Sequence, residues 1–161
     1  MPEETSPLVV VGVDGSENGD AALRYALREV ARRGGRLRAV SAWERPELTL
    51  SEFYGLPMHD EDKIQAAHEH DTRQRVEQVM AADPDTARIP LEVVAQVGRP
   101  ADVLVEAARD ADLLVVGHRG RGGLRSAVLG SVGLSCVLHA PCPVLVVPMA
   151  KASKGEADSA G

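Results

Sequence analysis

The residues in this chain with the clearest chemical meaning are two glycine-rich segments separated by nine residues. The first segment is Gly117-His-Arg-Gly120 and the second is Gly130-Ser131. They lie between an apolar stretch that favours a buried strand and a stretch from Ser131 that favours a helix. Glycines let backbone approach a ligand closely, and a helix start presents unpaired N–H groups at the positive end of its dipole. Together these features suit a phosphate group.

The charge distribution is consistent with an anion at this loop. The chain carries a net charge of −6, yet it has no Asp or Glu between Leu113 and Gly155. Arg119, Arg121 and Arg125 lie within this acid-free window. Glycine-rich loops often only turn the chain, and loop arginines are often solvated. The composition alone therefore leaves phosphate binding and a simple turn as alternatives.

Composition excludes several classes of protein. A length of 161 residues with 44% hydrophobic residues suits one globular domain. The N-terminus has no apolar signal region, and every apolar run is too short to span a bilayer. The two cysteines cannot form a disulfide framework, which predicts a reducing, cytoplasmic location. Acidic charge and few aromatic residues argue against nucleic-acid binding.

Strand and helix patterns alternate along the chain. The predicted strands are 8–13, 36–43, 91–97, 113–116 and 144–147. Four helices are predicted. The first ends at Gly34-Gly35, the second runs from Asp60 to about Ala82, the third begins near Pro100, and the fourth runs from Ser131 to about His139. This alternation predicts an α/β fold with an open, doubly wound, five-stranded parallel sheet. We predict one domain over residues 7–148, with flexible termini at 1–6 and 149–161.

The predicted sheet suggests where a ligand would bind. In doubly wound sheets, ligands bind beyond the carboxyl ends of the strands, at the point where strand order reverses. Asp14 follows the first strand and Gly117 ends the fourth. If the strand order is 3-2-1-4-5, both face one crevice. Asp14 could instead form an Asx turn or cap the next helix, and Ser131 could be a helix N-cap.

Three segments together resemble the universal stress protein family. They are Val11-Gly-Val-Asp-Gly-Ser16, the glycine pattern from Gly117 to Ser131, and His139-Ala-Pro-Cys-Pro-Val-Leu-Val-Val147. The resemblance extends from about Pro7 to Pro148. It implies strand order 3-2-1-4-5, binding of ATP or AMP with Mg²⁺, and a homodimer formed through the edge strand at 143–148.

The resemblance also implies roles for particular residues. Asp14 would contact the nucleoside, and the backbone of Ala42 would read the adenine edge. The first two glycines of the loop pattern would line the phosphate path, and Gly130 and Ser131 would bind the terminal phosphates through backbone N–H and the hydroxyl. The candidate nucleotide-binding residues are Gly12, Asp14, Ala42, Gly117, Arg119, Gly120, Arg121, Gly122, Gly130, Ser131 and Val132. Gly133 departs from the family pattern, because we expect Ser or Thr there in many members.

The predicted function is nucleotide-dependent regulation in the stress response, through an unknown partner protein. One alternative is a slow ATP-hydrolysing or ATP-cleaving enzyme, with His118 as its candidate acid or base. The other is a protein-interaction module without nucleotide. No nucleophile or paired carboxylate is evident, so we predict no catalytic residues. Cys136, His139 and Cys142 lack a fourth ligand for zinc, so we predict no metal-binding residues.

Three histidines outside these motifs are predicted to be solvated. His59 falls in a loop, and His68 and His70 fall in the polar helix.

Overall fold

The computed structural model of the protein describes residues 6–45, 54–55, 60–119 and 129–148. The strands are β1 (Leu8–Gly12), β2 (Arg36–Trp43), β3 (Leu91–Val97), β4 (Leu113–Gly117) and β5 (Val144–Val147). The helices are α1 (Glu17–Arg33), α2 (Glu61–Ala81), α3 (Pro100–Ala107) and α4 (Ser131–His139). The predicted flexible termini, 1–6 and 149–161, lie almost entirely outside the described residues. The described residues also do not include the predicted nucleotide-binding residues Gly120, Arg121 and Gly122, or His59, which is predicted to be solvated.

The five strands form one parallel sheet in the order β3-β2-β1-β4-β5. This order confirms the predicted fold and places β1 beside β4, with Val11 paired to Val115. The apolar runs of β1 and β4 are almost fully buried because these strands lie at the centre of the sheet. β3 lies at an edge and is largely half-buried, as its alternating sequence predicts.

Helices cover both faces of the sheet and create two apolar clusters. On one face, α1 and α2 pack on Val9 and Val11 of β1. On the other face, α3 and α4 pack on Leu8 and Val10 of the same strand, mainly through Leu104 and Cys136. Successive residues of a strand point to opposite faces, so each strand contributes to both clusters.

The ends of α1 follow directly from the sequence. The Ser16 side chain accepts a hydrogen bond of 3.0 Å from the Gly19 N–H at the start of the helix. Gly34 ends the helix with φ at 71°, a left-handed conformation that glycine adopts without a Cβ clash. Among the helices of the described ranges, none is long and apolar enough to cross a membrane.

Candidate functional site

A cleft of about 1040 Å³ opens beyond the carboxyl ends of β1, β2 and β4. This volume is close to the range of about 300–1,000 Å³ typical of small-molecule sites. All of the candidate residues that the structure describes line the cleft. They are Gly12, Asp14, Ala42, Gly117, Arg119, Gly130, Ser131 and Val132. The fold thus brings together residues that are far apart in the sequence.

Asp14 lies at the end of β1 and takes part in a local turn. Its Oδ1 accepts hydrogen bonds from Ser16 N at 2.9 Å and from Ser16 Oγ at 2.6 Å. The prediction that Asp14 forms an Asx turn is therefore confirmed. The side chain is also exposed and lines the cleft, and its Oδ2 accepts no hydrogen bond from the described residues. One oxygen can therefore hold the turn while the other contacts a ligand.

The N-terminus of α4 forms another wall of the cleft. Gly130 is the N-cap, so the interpretation of Ser131 as the cap is wrong, and Ser131 is the first helical residue. No side chain of the described residues caps this helix. Its first turn contains no acidic residue, whereas α1, α2 and α3 each have at least one there. Because Ser131, Val132 and Gly133 all line the cleft, the positive end of the dipole is available to an anion.

At several glycines of the cleft an added Cβ would come very close to a neighbour, and two of them are Gly117 and Gly133. A Cβ on Gly117 would come within 2.8 Å of the backbone oxygen of Asn18, so this glycine lets β4 end against the start of α1. A Cβ on Gly133 would come within 2.9 Å of Leu129 Cδ1. At Gly133, where the family pattern leads us to expect Ser or Thr, the space next to the backbone is occupied by the Leu129 side chain.

One face of α2 lines the cleft, and the sequence prediction missed it. The contributing residues are His68, Asp71, Thr72 and Arg75. Their spacing places them on one side of a helix, which is the signal that could have identified them. The prediction that His68 is solvated is wrong, because its ring is half-buried and stacks on Trp43 with centroids 5.4 Å apart. His70 is exposed, as predicted.

Arg75 joins α2 to the loop after β1. Its guanidinium donates to the Asp20 carboxylate at 2.7 and 2.8 Å and to the backbone oxygen of Gly15 at 2.9 Å. The Asp20 carboxylate raises the pKa of Arg75 above its usual value, and the charge of Asp14 acts in the same direction. A permanent positive charge therefore lies at the cleft beside Asp14.

His118 follows β4 and connects three elements. Its backbone N–H donates to Val147 O at 2.9 Å, and its carbonyl accepts from Gly130 N at 2.9 Å. The side chain lines the cleft, and its Nδ1 is buried and has no hydrogen-bond partner among the described residues. A buried polar atom without a partner is unfavourable, and a polar group of a ligand would satisfy it. The feature of the cleft wall that suits a phosphorylated ligand is the set of backbone N–H groups at the start of α4.

The site offers few protein ligands for a metal. Within the described ranges, no group of three or more His, Cys, Asp or Glu is arranged to hold an ion. Burial raises the pKa of the Cys136 thiol to about 11 and also raises that of Cys142. The absence of metal-binding residues stays a prediction from the sequence.

Comparison with known sequences agrees with these observations. A sequence model of the universal stress protein family matches residues 8–148. Universal stress protein Rv2005c of Mycobacterium tuberculosis is 37% identical over 147 residues, which cover 91% of this chain and 47% of the relative. The chain therefore spans about half the length of the curated relatives that it matches.

Solved structures share the fold. The universal stress protein UspA from Lactobacillus plantarum has a TM-score of 0.71 at 24% identity, covering 88% of this chain and 97% of its own. A universal stress protein crystallised in complex with cAMP has a TM-score of 0.62 at 26% identity, covering 91% of this chain and 100% of its own. Both proteins support the assignment of the fold, and the second is a structural relative with a bound nucleotide.

Proposed function

Because this chain belongs to the universal stress protein family, we propose that it is a regulatory protein of the stress response that binds an adenine nucleotide, ATP or AMP. The observation that carries the proposal is the α4 N-terminus, which faces the cleft without a side-chain cap or an acidic residue. An uncapped helix start of this kind binds phosphate groups through its backbone N–H groups. The cAMP complex of a structural relative lends further support.

In the proposed complex, the nucleoside lies at the ends of β1 and β2 and the phosphates lie at α4. Asp14 contacts the nucleoside, and the backbone of Ala42 reads the adenine edge. The terminal phosphates bind to Ser131 and the backbone of Val132. Mg²⁺ is held mainly by phosphate oxygens and water, which is usual for that ion and needs no cluster of carboxylates.

A thermal-shift experiment and calorimetry with ATP test the proposal. At a concentration one hundredfold above Kd, ATP adds about 2.7 kcal/mol to the free energy of unfolding. GTP at the same concentration is the control for adenine specificity and should give a smaller shift. If millimolar ATP gives neither a shift nor a measurable heat, the proposal is wrong.

The enzyme alternative has one observation in its favour, which is that His118, its candidate acid or base, lines the cleft. A general base also needs a positioned nucleophile, and the sequence indicates none. We therefore propose that nucleotide hydrolysis is at most slow. The two cysteines are unpaired, which supports the proposed cytoplasmic location.

We further propose that the protein is a homodimer paired through β5. This strand is an edge of the sheet and contains only Val and Leu. The adjacent helix exposes Leu134 by 49%, Val137 by 50% and Leu138 by 68%. An apolar edge strand promotes aggregation unless it is covered or paired. At the opposite edge, β3 instead carries Glu92, which is paired with Arg38 of β2. Pairing of β5 with its copy about a two-fold axis would cover the apolar edge.

A further inference from the structure

The half-buried histidine on α2 is held in one orientation by a series of contacts. The His68 ring stacks on Trp43 with an angle of 9° between the planes. The Trp43 indole Nε1 donates to Gln65 Oε1 at 2.9 Å, and the Gln65 amide donates in turn to the backbone oxygen of Ala95. Because Ala95 belongs to β3, these contacts fix the plane of His68 relative to the sheet.

Within the part of the chain that the structure describes, no hydrogen bond involves the ring nitrogens of His68. The ring stacks on Trp43, and the backbone oxygen of His68 accepts a hydrogen bond of 2.7 Å from the Thr72 hydroxyl. The two ring nitrogens of His68 are not among the buried polar atoms that lack a hydrogen-bond partner in the described residues. The residue lines the cleft together with Ser41 and Ala42 of β2. A neutral imidazole presents one donor and one acceptor, so it can hydrogen-bond to a base edge or a ribose hydroxyl.

We propose that His68 is a specificity-determining residue that hydrogen-bonds to the nucleoside portion of the ligand, and that Trp43 positions its ring. This inference rests on the proposed nucleotide-binding function. His68 lies beside the ends of β2, where the nucleoside is placed, whereas the phosphates are placed at α4. Its contribution is therefore the same for adenosine, AMP and ATP and is absent for a ligand without a nucleoside.

Calorimetric titration of four proteins tests the inference, using adenosine, AMP, ATP and inorganic tripolyphosphate as ligands. The proteins are the wild type, His68→Phe, His68→Ala and the control His70→Ala. His68→Phe keeps an aromatic ring for the stack on Trp43 and removes both nitrogens. His70 is exposed on the same helix, so His70→Ala controls for the loss of a histidine from α2.

Both His68 variants should weaken adenosine and ATP binding by the same factor, about 3- to 10-fold, as expected for the loss of one hydrogen bond. Binding of tripolyphosphate should not change, and His70→Ala should match the wild type. Trp43 is the chain's single tryptophan, so adenosine should also change the fluorescence of the wild type while tripolyphosphate does not.

Adenosine binding by His68→Phe that equals or exceeds that of the wild type would overturn the inference. An equal loss of tripolyphosphate affinity would overturn it as well, because it would assign His68 to the phosphates. Either outcome leaves the proposed function intact when the wild type binds ATP or AMP. If the wild type binds none of adenosine, AMP and ATP, both the inference and the proposed function are wrong.

Discussion

Substitution of Asp14 and of Ser16 can separate a turn-forming role from a ligand-binding role. Asp14→Ala removes the hydrogen bonds that Oδ1 accepts from Ser16 N at 2.9 Å and from Ser16 Oγ at 2.6 Å. Each of these two hydrogen bonds is exposed, so its contribution to the free energy of unfolding lies toward the low end of about 0.5–1.5 kcal/mol. The free energy of unfolding should therefore fall by about 1–2 kcal/mol, which lowers Tm by about 2–8 °C in a domain of this size.

Ser16→Ala is the matched control. It removes the same Oγ hydrogen bond to Asp14 and the cap on the Gly19 N–H at 3.0 Å. Loss of such a cap costs about 0.5–2 kcal/mol, so the two variants should be destabilised to a similar extent. The control keeps the Asp14 carboxylate, which a ligand hydroxyl or amine could still contact.

The two variants should therefore differ in binding and agree in stability. A hydrogen bond to a charged group contributes about 1.5–3 kcal/mol, so Asp14→Ala should weaken adenosine and ATP alike by about 10- to 150-fold. Ser16→Ala should bind both nearly as the wild type does. Thermal denaturation without ligand and calorimetry with each ligand supply the two measurements. An equal loss of adenosine affinity in both variants would show that Asp14 acts through the turn, and an unchanged affinity in Asp14→Ala would exclude its nucleoside role.

Three other predictions concern the phosphates, turnover and assembly. Ser131→Ala should weaken ATP binding by about 1–3 kcal/mol and leave adenosine binding unchanged in calorimetry, because the hydroxyl is assigned to the terminal phosphates; a matching loss for adenosine contradicts that assignment. Phosphate release from ATP should be far slower than the enzyme range of about 1–1,000 s⁻¹. A rate within that range that His118→Ala abolishes would establish the enzyme alternative. Leu145→Lys should convert a dimer to a monomer in light scattering at micromolar concentration, whereas a monomeric wild type would refute the dimer.

The sequence predicts the sheet well because its central strands are simple apolar runs. β1 and β4 are buried on both faces, so they contain few polar residues to obscure the pattern. The end of α1 is equally clear, since Gly34 adopts the left-handed conformation that its position requires. The sequence does not fix the start of α4, because Gly130 and Ser131 are both acceptable N-cap residues and only the backbone conformation distinguishes them.

The part of the site that comes from α2 could not be recognised in the same way. His68 and Asp71 are polar residues on a polar helix, a pattern that normally indicates a solvated face. Their position at the cleft depends on how α2 packs beside β2, and the Trp43 partner of His68 is distant in the sequence. The roles assigned to Gly120, Arg121 and Gly122 remain predictions from the motif, because these residues lie outside the described ranges.

The cleft lies where the two apolar clusters of the molecule meet. Val13 belongs to the cluster under α1 and α2, Leu104 belongs to the cluster under α3 and α4, and both line the cleft. A bound ligand would contact both residues and so connect two cores that the sheet otherwise separates. Its binding energy would then add to the free energy of local opening on both faces of the sheet. Amide hydrogen exchange would therefore slow in α2 and in α3 together. One small molecule would couple the stability of the helix layers on the two faces of the sheet, which share no apolar cluster.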